Sequence, residues 1–239
     1  QYWSWSLEPA FGYYSKPPLI AWLIRLATDS CGVTEFCIRL PSPLIHTATA
    51  LVIFETGRRL YDAATGFFAA LVFATLPGVS LSAGIISTDV PLLLCWAAAL
   101  LGLVAMLESK AWWPAVLLGV ALGIGLNAKY AMVFFGLCLA VWMIATPSAR
   151  RLAGDARLWT ALALAGLLIA PNMAWNLANS FATFAHTADN ARWGGGLINI
   201  GKGLEFVAAQ GAVFGPILLA GLALVVLRAW RDGLSDADR

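Results

Sequence analysis

The 239 residues are 60% hydrophobic and only 12% charged, with a mean hydropathy of +0.78 and a net charge of +2. A water-soluble domain carries about a quarter charged residues, so these values exclude an ordinary soluble enzyme. The small net charge, and the lack of an Arg/Lys stripe interleaved with aromatics, exclude a nucleic-acid partner.

Residues 1–16 are aromatic and polar and predict an interfacial loop. Pro17 and Pro18 can start a helix but not continue one. The apolar run Leu19 to Ala27, interrupted by Arg25, is too short to cross a bilayer and predicts a helix lying at the interface. Six candidate spans follow, at 41–58, 63–86, 89–107, 111–127, 129–146 and 158–176, with a seventh at 204–228, each near the ~20 residues a bilayer needs. They are apolar on most sides rather than striped, and strand alternation is absent. The expectation is a single all-α, polytopic membrane bundle of about seven spans plus an interfacial helix. In it 1–40 and 177–203 form extracytoplasmic loops, and the chain is an internal piece of a longer membrane protein. Gly119 to Gly123 and Gly211 to Gly215 are both GxxxG and predict close helix packing. Many of the eleven Trp fall near span ends, as an aromatic belt requires.

Arg58, Arg59, Lys110, Arg150, Arg151, Arg157, Arg228 and Arg231 fall at one set of span ends if every span crosses once. By the positive-inside rule that side is cytoplasmic. Lys16, Asp89, Lys129 and His186 then share the opposite, extracytoplasmic face. Cations there run against the rule, which points to an anionic ligand. Lys16 and Lys129 can act as point charges on a phosphate, and Arg39 as a bidentate donor. Asp89 reads equally as a capping residue at a helix start. Trp175, Asn176 and Trp193 offer a sugar-stacking surface, and equally a membrane anchor. His46, inside a span, is expected to be buried and hydrogen-bonded. Cys31 and Cys37 flank a short polar stretch, which leaves a disulfide and two free thiols both open. No zinc-like spacing, Walker loop, nucleophile elbow or HExxH occurs.

Tyr2-Trp3-Ser4-Trp5-Ser6, Gly12-Tyr13-Tyr14-Ser15-Lys16-Pro17-Pro18-Leu19 and Arg39-Leu40-Pro41-Ser42 resemble the protein O-mannosyltransferase and aminoarabinose transferase group, glycosyltransferase family 39-like. Thr88-Asp89-Val90-Pro91-Leu92-Leu93, Lys129-Tyr130 and Pro171-Asn172-Met173-Ala174-Trp175-Asn176 continue the pattern in order. The resemblance implies the GT-C membrane fold, in a bacterial inner membrane. It implies transfer of a sugar from a polyprenyl-phosphate donor to a hydroxyl of a lipid, glycan or protein acceptor, on the extracytoplasmic face and with inversion. The family's catalytic Asp would fall immediately before Gln1; Glu8, the nearest carboxylate, does not match that motif. Lys16 would hold the leaving phosphate with Lys129 or Arg39, and Asp89 would orient a base partner or a substrate hydroxyl. Tyr14, Ser15, Trp175, Asn176 and His186 are the expected substrate contacts. Some relatives carry an acidic residue at Ser15. A divalent metal is compatible with this chemistry, and no ligand set is assigned to it. Two other readings start from the same sequence: a transporter of a small polar or lipid-linked substrate, and a non-catalytic membrane scaffold.

Overall fold

The computed structural model describes residues 1–191 and 200–237, all helix, turn and loop. Three short or interfacial helices come first: α1 (Tyr2–Leu7), α2 (Leu19–Cys31) and α3 (Glu35–Arg39). The expected interfacial helix is α2. It runs four residues past the predicted end and buries Ile20, Ala21, Ile24 and Thr28 along one face. Its opposite side carries an exposed Arg25–Asp29 ion pair. A disulfide joins Cys31 at the end of α2 to Cys37 in α3, which decides between the two states the sequence left open.

The bundle consists of α4 (Pro41–Leu60), α5 (Ala63–Thr75), α6 (Pro77–Ala83), α7 (Asp89–Glu108), α8 (Trp113–Ala128), α9 (Val133–Ala145) and α10 (Ala156–Ala178). Two further segments follow, α11 (Ala182–Ala191) and the pair α12 (Ile200–Phe214) and α13 (Pro216–Ala237). Three helical segments, Glu35–Leu60, Asp89–Glu108 and Ala156–Ala178, are long and apolar enough to cross a membrane. Trp113–Ala128 and Tyr130–Ala145 are shorter apolar segments. The architecture is that of an all-α, polytopic membrane bundle.

Three expectations need correction. The 63–86 segment bends by 61° between α5 and α6. Leu76 there is extended (ψ 132°), as a residue before proline prefers, and Pro77 then opens α6. The 204–228 segment is not one straight crossing, because it turns by 108° between α12 and α13. Gly215 adopts φ +81° and Pro216 follows, so a left-handed glycine ends one helix and a proline starts the next. Finally, the 177–203 stretch contains α11. Asn179 caps α10, Ser180 and Phe181 both take φ 55°, and the chain reverses into that helix.

Small residues set the helix spacing. A Cβ on Gly119 would lie 2.6 Å from the carbonyl oxygen of Ala161, and one on Gly123 would lie 2.6 Å from Leu168 Cβ, so α8 and α10 touch almost backbone to backbone. Gly102 does the same for α7 against α8, and Gly57 with Gly66 for α4 against α5. Buried Cys95, Ala99, Leu103, Leu118, Leu122 and Ala161 fill the seam between α7, α8 and α10. Pro171 sits inside α10 and cannot donate to the preceding turn. Nearby, Asn127 Nδ2 donates to the carbonyl of Leu168 at 3.0 Å, a neighbour's polar group reaching the backbone beside the break.

The end of the bundle distant from α2 is basic. Arg59 reaches Glu108 at 2.8 Å and lies over the Trp113 ring. Arg157 pairs with Asp155, donates to the Ser109 carbonyl, and holds the Asp155 carboxyl below the usual carboxylate range.

The two GxxxG sites make opposite predictions. Gly119→Ala forces backbone against backbone and should lower stability by about 1–3 kcal/mol. Gly211→Ala, with nothing within 4 Å of its Cβ, should be neutral or stabilising by up to about 1 kcal/mol. Thermal unfolding of the two variants in detergent checks this, and equal losses would contradict it.

Candidate functional site

The loop Glu8–Pro18 is polar and proline-rich, and its shape comes from what grips it. The phenol of Tyr13 accepts from the Ala10 N–H at 3.1 Å and lies 2.9 Å and 3.0 Å from the carbonyls of Trp5 and Glu8. Its ring stacks on Trp5 at 4.8 Å. Burial pushes the Tyr13 phenol above its ordinary range, so it stays neutral and able to donate. The N–H of Tyr13 donates to the carbonyl of Lys16 at 3.1 Å, closing the turn that presents the lysine.

Helices α10 and α11 hold this loop from the other side. Asn172 Nδ2 donates to the Phe11 carbonyl at 2.7 Å, and Thr183 Oγ1 donates to the Tyr13 carbonyl at 2.6 Å. Gly12 lies directly on Trp175: a Cβ there would be 2.3 Å from the indole ring. Trp175 therefore serves the loop with at least one part of its surface.

Across from the loop, α8 ends at Ala128, and Lys129 has an extended backbone before a 3-10 turn over Tyr130–Met132 leads into α9. Lys129 Nζ meets Asp89 Oδ1 at 2.7 Å, tying the α8–α9 junction to the first residue of α7. Thr88 occupies the N-cap position of α7 but makes no side-chain capping bond, and Asp89 faces solvent instead. The Tyr130 hydroxyl donates to Asn172 Oδ1 at 2.8 Å and accepts from Asn176 Nδ2 at 3.1 Å, while its ring stacks on Phe184 of α11 at 4.6 Å.

The result is a cleft of about 320 Å³. The loop contributes Ser15, Lys16 and Pro17, the α8–α9 junction Lys129 and Tyr130, α9 Val133 and Phe134, and α11 Thr187. Two ammonium-bearing residues thus share one cleft with an apolar stretch of α9 whose side chains are exposed on the bundle surface. Among the described residues the Lys16 ammonium meets no carboxylate.

The structure brings Lys16, Ser15, Lys129 and Asp89 together. Tyr14 is exposed, with its ring 4.9 Å from that of His186. Asn176 is fully buried in the amide network and its Oδ1 lacks a partner among the described residues. Arg39 is elsewhere: it pairs with Glu35 at 2.6 Å, donates to the Gly84 carbonyl at 3.1 Å, and lines a separate cleft with Phe36 and Pro43. Trp193 lies outside the described residues. His46 is buried and hydrogen-bonded to Ser82, as expected of a histidine inside the bundle. Among the described residues no three His, Cys, Asp or Glu side chains gather as metal ligands would. The residues missed by the sequence reading are Asn172, Tyr130 and Thr183. A signal was present for two of them, since Tyr130 follows Lys129 and Asn172 precedes Trp175-Asn176 within the patterned segments.

The fold and its cleft define a polytopic membrane protein with a cationic pocket at one helix end. Residues 15–175, more than half of the chain, match the family described as dolichyl-phosphate-mannose-protein mannosyltransferase. The chain belongs to this family, whose fold is of the GT-C glycosyltransferase type. It is also 38% identical over 240 positions to the lipid A galacturonosyltransferase RgtD of Rhizobium johnstonii; the match covers all of this chain and 50% of that protein. The chain thus spans about half the length of the curated relative it matches. No solved structure matches it.

Because Gly12 is pressed against Trp175, Gly12→Ala must push the loop off α10. The expected outcome is a fall in stability of about 1–3 kcal/mol and loss of any activity that uses Lys16. Gly32→Ala, where nothing lies within 4 Å but φ is +93°, serves as the comparison at a site away from the cleft. An active Gly12→Ala protein with unchanged melting temperature would contradict the packing.

Proposed function

We propose that this chain is the donor-gripping part of a membrane glycosyltransferase that takes a sugar from a polyprenyl phosphate and passes it to a hydroxyl acceptor outside the cytoplasm. The single observation that carries this reading is the joint presence of Lys16 and Lys129 in a cleft that continues onto Val133 and Phe134. A lipid phosphate has the matching chemistry, an anionic head joined to an apolar tail.

In the reaction, the acceptor oxygen attacks the anomeric carbon from the face opposite the phosphate. The bond from that carbon to the phosphate oxygen breaks, and its electron pair leaves with the polyprenyl phosphate. Negative charge grows on the phosphate as this happens, and two preorganised ammonium groups stabilise it. Lys129 has three N–H donors, one of which goes to Asp89, leaving two for the phosphate. Asp89 holds the ammonium in place. The acceptor proton goes to a carboxylate, which the family resemblance puts just ahead of Gln1. In support, α1 is tethered to the same loop as Lys16 through the Trp5–Tyr13 stack. Tyr14 and His186, whose rings lie 4.9 Å apart and which each precede a cleft-lining residue in sequence, are the proposed sugar contacts, with Ser15, Trp175 and Asn176 shaping the loop and floor. Arg39, in its own cleft, is proposed to meet a second anionic group, such as one on the acceptor. The name of the Rhizobium relative makes galacturonic acid and lipid A the first sugar and acceptor to try.

Two features support an extracytoplasmic cleft in an inner membrane. Disulfides persist in oxidising compartments, and Cys31–Cys37 lies in the segment that leads from Lys16 into the bundle. The basic cluster around Arg59 and Arg157 occupies the other end, as the positive-inside rule expects of the cytoplasmic side. Alkylation of denatured, unreduced protein from cells should label Cys95 and Cys138 only. Labelling of all four cysteines would reverse the orientation.

The function is tested with the intact protein in membrane vesicles, polyprenyl-phosphate-linked galacturonic acid as donor and lipid A as acceptor. Lys16→Ala should lower kcat/KM by about a hundredfold or more. Asp89→Asn should cost less than about 1 kcal/mol of stability, since the pair is partly exposed. It should nevertheless lower kcat/KM about tenfold through the misplaced Lys129. Full activity in Lys16→Ala would overturn the assignment.

A further inference from the structure

We propose that Asn172 and Tyr130 are positioning residues that hold the two cation-bearing segments of the cleft at a fixed separation; this rests on the reading of Lys16 and Lys129 as phosphate ligands. Asn172 is fully buried on α10 and uses both ends of its amide on different parts of the chain. Its Nδ2 donates at 2.7 Å to the carbonyl of Phe11, in the loop that carries Lys16. Its Oδ1 accepts at 2.8 Å from the hydroxyl of Tyr130, the residue next to Lys129. One short side chain therefore joins the two segments, which are more than 100 residues apart in sequence.

The amide is chemically suited to this joint. It is a donor at one end and an acceptor at the other, with little rotamer freedom to lose. Lys129 has Asp89 as its counter-charge and Lys16 meets no carboxylate among the described residues, so a phosphate shared by both ammonium groups requires the two segments to be held at one separation by other groups. The ring contacts of Tyr130 on Phe184 and of Gly12 on Trp175, with the Thr183 bond to the Tyr13 carbonyl, hold the segments to α11 and α10 but join them through no single side chain. The hydrogen bonds through Asn172 join them directly. Asn176 reinforces the joint by donating to the same Tyr130 hydroxyl at 3.1 Å. Asn176 Oδ1 has no partner among the described residues.

The consequence is an energetic link between Asn172 and Lys16 that reads out in phosphate affinity and not in stability alone. The experiment measures the dissociation constant of undecaprenyl phosphate for the intact, detergent-solubilised protein. It compares Lys16→Ala, Asn172→Leu, Tyr130→Phe and each of the latter two combined with Lys16→Ala. Asn172→Leu keeps the volume and removes both bonds. Tyr130→Phe keeps the stack on Phe184 and removes only the hydroxyl, so it stands in if Asn172→Leu does not fold. Each of the three single changes should weaken binding about tenfold. Each double variant should bind no more than about twofold worse than Lys16→Ala alone, because the amide joint acts through that ammonium. Multiplicative losses in the double variants, or unchanged affinity in both Asn172→Leu and Tyr130→Phe, would overturn the inference while leaving the phosphate reading intact. Unchanged affinity in Lys16→Ala would overturn the phosphate reading, and this inference with it.

Discussion

Two lysines from distant segments line one cleft beside exposed apolar side chains of α9, and much of the structure serves to fix the segments that carry them. The chain treats the two lysines differently. Lys129 receives a counter-charge, Asp89, delivered by the start of α7. Lys16 receives none among the described residues. It stands on a turn whose carbonyls are occupied by Tyr13, Asn172 and Thr183. One cation is neutralised and the other is fixed by backbone hydrogen bonds, which leaves its charge available to a ligand.

That arrangement depends on helix contacts far from the cleft. The amides that grip the loop sit on α10, and α10 is positioned by its contact with Gly119 and Gly123 of α8. Apolar surface facing lipid supplies little force for helix association, so small residues and close van der Waals contact carry it instead. The side-chain amides at Asn127, Asn172 and Asn176 all lie along the same α8–α10 seam or just beyond it. These three amides therefore occur where two helices, or a helix and the loop, are held in one relative position.

Much of this was legible in the sequence. Hydropathy located the helical segments, although the runs at 63–86 and 204–228 each form two helices, and the Gly119–Gly123 spacing marked a true contact. Charge asymmetry separated the two ends, and the order of Lys16, Asp89 and Lys129 implied a shared face. Local turn chemistry was less visible. Leu76-Pro77 and Gly215-Pro216 are each a helix stop followed by a helix start, yet hydropathy reads through them. Gly211–Gly215 has the same spacing as the packing motif but ends at a left-handed glycine. Arg39 was grouped with the lysines because it shares their end of the bundle, and only three-dimensional placement separates its cleft from theirs. Asn172 was hidden for a different reason: a buried asparagine has no sequence period, and its two partners come from segments that composition cannot pair.

Helix α10 is clamped to α8 at two levels, Ala161 on Gly119 and Leu168 on Gly123, and Asn172 lies four residues, or about 6 Å, past the second. A slip at that second clamp therefore reaches Asn172 within little more than one helical turn. A bulkier residue at Gly123 would thus disturb the Lys16 loop from the far side of α10, although Gly123 lines no part of the cleft.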